Sequence, residues 1–224
     1  MDTAVAPVQM RSVARWTSLA GAVYVVLFVV GTIVLFSGAP AGDAPPLKVI
    51  RWYADSGHRD RVNVGWILVG LGIFSFLWFA ATVRRAVIAV DGEGILTAVV
   101  GIGGGVYAAV AFAAVALNSG IRTMSDDTFQ HQVYPDLIHA ANDAGYVMHA
   151  TGAAALGAMI IAMSLAFMWG GVWPKWAGWL GVVVGILAIG AIFFFTQWLF
   201  LLWILVVSVW MFLRWTPSAA VGAV

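Results

Sequence analysis

The sequence predicts an all-α bundle of six transmembrane helices. Two observations of composition and one of pattern predict it. Of 224 residues, 62% are hydrophobic and 9% are charged, whereas a soluble domain carries about 25% charged residues. Mean hydropathy is +0.97. Apolar runs close to the ~20 residues that cross a bilayer recur at about 16–37, 63–83, 95–117, 145–168, 177–194 and 197–214. This divides the chain into an N-terminal tail 1–13, one membrane domain 14–215 with external loops 38–62 and 118–144, and a C-terminal tail 216–224.

The first run follows Arg11 and Arg15, and "SGAPA" (37–41) has the look of a cleavage site. Its apolar stretch, Trp16 to Phe36, is about 21 residues, longer than the about 7–15 of a signal segment, so it is read as an uncleaved span. In the loop that follows, "PPLKVIRWYADSGHRDR" (45–61) carries Leu47, Ile50, Tyr53 and Ala54 at helical spacing. This predicts a short amphipathic helix in the headgroup layer. The loop 118–138 is polar, and "DTFQ" (127–130) resembles a helix start. The last two spans must be separate helices. A continuous 38-residue helix would be roughly 57 Å long at its rise per residue, nearly twice the hydrocarbon thickness. Thr196 and Gln197 are the polar pair that predicts the hairpin.

Six spans return the chain to the side on which it began. Arg11, Arg15, Arg84, Arg85 and Arg214 flank spans closely on that side, and seven of the ten acids lie on the other. The positive-inside rule then places both ends in the cytoplasm. Trp16, Trp169, Trp173, Trp176, Trp179, Trp210 and Trp215 gather towards the same face as an aromatic belt. Nine arginines against two lysines, with abundant Ala, Val and Gly, suit a GC-rich bacterial gene and hence a bacterial inner membrane.

The same composition excludes several chemistries. A net charge of +1 leaves no basic surface for nucleic acid. The absence of cysteine removes disulfides, thiolate metal sites and cysteine nucleophiles. "GIGGG" (101–105) lies inside a span without the strand that a phosphate loop requires. It is read as packing instead: Gly101 with Gly105, Ala153 with Gly157 and Gly181 with Gly185 form small-xxx-small pairs that let helix backbones approach in lipid. Haem needs a second axial ligand facing His149, the lone histidine of the spans, and only Met148, Met159 and Met163 are near it. Ser18, Ser75, Ser164 and Ser208 have no evident base and no GxSxG setting. Short of Arg214 at the last boundary, the spans hold no Asp, Glu, Lys or Arg, the residues on which ion-coupled transport relies.

"HAANDAGYVMHA" (139–150) is the densest polar stretch. At 100° per residue, His139, Asp143, Tyr146 and His149 share one broad helix face. His139 and Asp143 could form half of a Zn²⁺ site that His131 completes, supporting metal-assisted hydrolysis at the membrane surface. The competing reading is the polar rim of a span, with Tyr146 as an interfacial aromatic and His149 alone at depth. The rim reading is preferred, because no HExxH-like ligand spacing is present. No cofactor is then expected, with zinc tied to the alternative.

"RWYADSGHRDR" before the second span, "FLWFAATVRRAV" ending it, the Gly/Ala-rich third span, "VWPKWAGWLGVVVG" and "LLWILVVSVWMFLRW" together resemble a family of bacterial six-span membrane proteins. That family is frequent in actinobacteria and known as a domain of unknown function. The resemblance covers about residues 14–215. It implies fold and topology but no activity, and it implies that His139 is not a shared catalytic group, because members often carry an apolar or aromatic residue there. The expected function is non-enzymatic: binding or accessory work with membrane lipids, a lipophilic ligand, a second copy or another membrane protein. A metal-dependent hydrolase on His131, His139, Asp143 and His149, and a passive pathway for a small neutral solute, are the alternatives.

Overall fold

The structure, a computed structural model, describes residues 15–41, 43–123, 133–190 and 195–214, without the side chains of 121–123 and 195. All regular structure among the described residues is helical. In chain order the helices are α1 (Ala20–Phe36), α2 (Pro46–Ala54), α3 (Ser56–Asp91), α4 (Ile95–Thr123), α5 (Pro135–Trp169), α6 (Lys175–Ile189) and α7 (Phe195–Arg214). Five are long and apolar enough to cross a membrane, α1 counted from Arg15, and α6 is a shorter apolar helix of 15 residues.

Several helices outrun the apolar spans read from the sequence. α3 begins at Ser56 because the Asp55 side chain accepts the His58 N–H at 3.0 Å, an N-cap that satisfies one of the orphan donors of a helix start. It runs on past Arg84 and Arg85 to Gly92, whose φ of 62° ends it in a conformation that suits glycine. α5 begins at Pro135, ten residues before the predicted span, with Pro in the first turn and Asp136 beside it, both favoured there. Much of the loops predicted at 38–62 and 118–144 is therefore helix. Apolar runs locate the lipid-facing length of a helix, whereas backbone hydrogen bonding carries it further into polar surroundings. Thr196 and Gln197, where the hairpin is expected, lie within α7; α6 ends at Ile189 with Gly190 as its C-cap, and Thr196 Oγ1 donates back to the Gly190 carbonyl at 3.1 Å.

The five long helices and α6 form an up-and-down ring. α1 packs on α3, α3 on α4, α4 on α5, α5 on α6, α6 on α7, and α7 returns to α1. Each neighbour is antiparallel, as pairs of cross-helix contacts show: Gly21 with Phe79 and Gly31 with Gly65, Gly101 with Arg84 and Gly104 with Ala80, Gly103 with Met159 and Gly145 with Asn118, Gly157 with Gly185 and Gly178 with Met168, Gly181 with Trp203 and Gly190 with Thr196, and Ser18 with Ser208 and Arg15 with Phe212.

Glycines set the closest approaches. A Cβ on Gly31 would lie 2.9 Å from the Gly65 carbonyl oxygen, and one on Gly185 would lie 2.7 Å from that of Gly157. In lipid such backbone contact supplies the packing that holds helices together. Within "GIGGG" it falls on Gly103, against the Ala155 carbonyl, and on Gly104, against Ala80 and Met159. Gly101 lies against the Arg84 side chain, and Gly105 has no atom within 4 Å. So Gly105 faces open space, Gly101 is half-buried against α3, and the closest contacts fall on Gly103 and Gly104 between them.

The closure of α7 on α1 involves one hydroxyl. Ser208 Oγ donates to the Ser18 carbonyl at 2.6 Å and accepts the Ala22 N–H at 2.9 Å. These are the two groups that an unbroken helix would pair with each other. The inserted hydroxyl explains the interruption at Leu19, since side chains that enter the ladder bend helices. Below it, Arg15 Nε donates to the Phe212 carbonyl at 3.0 Å.

α2 lies across the opposite end. Val49, Trp52 and Tyr53 are buried against the bundle, while Leu47, Ile50 and Ala54 are exposed. Tyr53, read from the sequence as part of the lipid-facing side, belongs to the packed side. At the end where α1 begins, Trp16, Trp169, Trp176 and Trp179 are exposed, but Trp173 is buried among Phe167, Trp203 and Trp210. Arg11, Trp215, the "DTFQ" stretch and both tails lie outside the described residues.

Candidate functional site

"HAANDAGYVMHA" lies wholly within α5, so its side chains point as a continuous helix dictates. His139 is half-buried beside Ile138 and Asn142. It lines a cavity of about 30 Å³ beneath α2, closed by Leu35, Phe36, Val49 and Tyr53. Its Nδ1 is buried without a hydrogen-bond partner. Asp143, one turn on, is exposed and forms no ion pair with it. Tyr146 is exposed at 38%. Among the described residues no three His, Cys, Asp or Glu side chains stand together as metal ligands. His131 lies outside them.

His149 is elsewhere altogether, roughly 15 Å along the axis from His139 by helix rise. Its imidazole is stacked on Phe28 of α1 at 5.5 Å and 23°. Tyr107 of α4 meets it edge-on at 6.0 Å, and Phe200 of α7 lies at 6.3 Å. Three helices remote in sequence thus pack around one half-buried imidazole, whose Nε2 is buried with no partner. The cage continues inward. Tyr24 and Tyr107 share a hydrogen bond of 2.5 Å between their hydroxyls, and Phe76 packs on both rings at 5.2 and 4.9 Å. Tyr24, Tyr107, Phe76 and Phe200 are all fully buried.

The ring therefore has a solid aromatic centre contributed by α1, α3, α4, α5 and α7. A hydroxyl in an apolar interior requires a partner, and the tyrosines supply one another. This centre positions an imidazole but pairs it with no carboxylate, hydroxyl or metal ligand among the described residues. Apart from His149, its residues were missed by motif reasoning. The available signal was Tyr24 and Tyr107 in the middle of apolar runs, where a phenol demands an explanation.

Of the packing residues, Ala153 is fully buried in α5. Gly157 and Gly185 face each other across α5 and α6, and Gly181 stands against Ser164 and Trp203. A second polar group gathers at the α2 end. The Trp52 ring is stacked on His58 at 4.5 Å and 5°, with the Arg61 guanidinium 5.7 Å from its centroid. Trp52 Nε1 and Arg61 Nε are both buried without partners. The chain matches no family model, no curated protein and no solved structure.

Proposed function

We propose that this is a six-span integral membrane protein with a non-enzymatic binding or accessory role, acting through the surfaces it presents to lipid and to other membrane proteins. One observation carries the reading: the centre of the helical ring is filled by interlocked aromatic side chains from five helices. A filled centre supports work at the ends and the outer faces rather than passage of a solute between the helices. Six crossings are supported by the antiparallel meeting of α1 and α7, which needs an even number of traversals. Arg15, Arg84, Arg85 and Arg214 at the end where α1 begins support a cytoplasmic placement of that end. The likeness to the actinobacterial six-span family belongs to the same reading.

The test is native mass spectrometry of the protein released gently from membranes, read for subunit number and non-covalent mass. Retained lipid, or a defined assembly with itself or another membrane protein, is the expected result. A monomer that holds one transition-metal ion per chain, lost in His139→Ala, would replace this reading with metal-dependent chemistry.

A further inference from the structure

We propose that the α2 end of the bundle is a receptor for a phosphate oxyanion, carried on an anionic lipid headgroup and held by Arg61 and Trp52. The inference rests on the membrane reading above and gives the binding role a ligand class.

One donor of a basic side chain at this end has no acceptor. Arg61, in the second turn of α3, is half-buried, and its Nε–H has no acceptor. Among the described residues it forms no ion pair. A guanidinium stays protonated at any physiological pH, and although the group is half-exposed, its Nε–H is buried without an acceptor, which costs the free energy of a lost hydrogen bond. The carboxylates nearest in sequence do not answer it. Asp55 is taken up in capping α3, and Asp60 is exposed.

A second unmatched donor lies beside it. Trp52 is buried, and its indole N–H has no acceptor. Its ring is held in place by the stacked His58, whose Nδ1 is 3.0 Å from the Trp52 carbonyl oxygen. The N–H direction is therefore set before any ligand arrives. Arg59 completes the frame by donating to the Tyr53 and Ala54 carbonyls at 2.9 Å. Arg61 Nη2 reaches towards Gly38, the left-handed turn after α1. The group that satisfies such an arrangement is a multi-oxygen anion. Guanidinium and phosphate are matched in shape and charge, and an indole N–H adds a third donor.

Depth decides in favour of lipid. Arg61 directly precedes Val62, where the apolar length of α3 begins, which is the level of headgroup phosphates. Lys48 and Arg51 on the exposed side of α2 add positive charge at the same level.

The test uses the full chain in phosphatidylcholine nanodiscs doped with phosphatidylglycerol, extracted gently and weighed intact. One phosphatidylglycerol per chain is expected to be retained, favoured over phosphatidylcholine by about fivefold or more, because the choline cation is repelled by Arg61, Lys48 and Arg51 whereas the glycerol headgroup leaves the phosphate charge uncompensated. Trp52→Phe keeps the ring and removes the donor, and Arg61→Gln removes the charge. Each is expected to lower retention about fivefold or more, the scale of one charge-assisted hydrogen bond. Trp52→Phe keeps the test decisive if Arg61→Gln fails to fold. In discs of phosphatidylcholine alone, inorganic phosphate that binds with the same residue dependence would show free phosphate as the source. Lipid retained without headgroup preference, or unaffected by Trp52→Phe, would overturn this site and leave the binding role standing. A chain that carbonate strips from membranes would instead overturn the membrane reading beneath both.

Discussion

Gly157→Ala tests whether α5 and α6 touch backbone to backbone. The added methyl would stand against the Gly185 carbonyl oxygen, closer than real Cβ contacts come, with Ile189 and Ala188 at 3.3 and 3.4 Å. No rotamer relieves it, because the obstacle is main chain on one side and a helix wall on the other, so the two helices must separate. Overpacking of this kind costs ~1–3 kcal/mol. Alanine returns up to ~1 kcal/mol through its better helix propensity. The expected net is a destabilisation of roughly 1–2 kcal/mol. Gly105→Ala carries the same propensity gain into open space, so it is expected to be neutral or stabilising by up to ~1 kcal/mol. Equilibrium unfolding in mixed micelles of a mild detergent and dodecyl sulfate, followed by tryptophan fluorescence, measures both. Gly157→Ala as stable as Gly105→Ala would refute the seam. The double variant with Gly185→Ala should cost less than the sum, because one separation accommodates both methyls.

Three further outcomes are expected in the same unfolding assay. His149→Phe should stabilise by ~1 kcal/mol, because it removes a buried nitrogen that lacks a partner from a cage of aromatic rings; a loss of similar size would show that the imidazole has a bonded role. Tyr24→Phe and Tyr107→Phe should each cost ~1–2 kcal/mol by orphaning the other hydroxyl, and the double variant less than their sum; strict additivity would mean the hydroxyls do not pair. Ser208→Ala should cost roughly 0.5–1 kcal/mol, a modest value because interhelical hydrogen bonds in membranes average about 0.6 kcal/mol and because Ser18 and Ala22 can then pair. An unchanged midpoint would remove Ser208 from the α1–α7 closure.

The helical class was legible because it depends on composition, which no tertiary contact can alter. Span centres were legible for the same reason. Their ends were not, since Asp55, Pro135 and Gly92 act through capping and backbone conformation outside the apolar runs. The small-xxx-small pattern identified glycine as packing material but could not choose the face. Gly103 and Gly104 meet neighbours because α3 and α5 flank α4, a fact of topology that the spacing of Gly101 and Gly105 does not contain. His139 and His149 look like one cluster in sequence. In space one lines a cavity beneath α2 and the other is packed among Phe28, Tyr107 and Phe200, each distant in the chain. Arg61 and Trp52 carry no signal of their own within the stretch 45–61, because an unmatched donor becomes visible only when the burial of its nitrogen is known.

The hydroxyl of Ser208 within the first turns of α1 has a consequence for biosynthesis. While the chain is still emerging into the bilayer, α7 has not been made, and the Ser18 carbonyl and Ala22 N–H are free to bond each other. Nascent α1 can then complete its main-chain ladder at this point, with no backbone group left unpaired for lipid to penalise. When α7 arrives, its serine exchanges that single bond for two and introduces the interruption at Leu19. The backbone of the first helix can therefore stay paired until the last arrives, and the interruption at Leu19 records that the ring has closed.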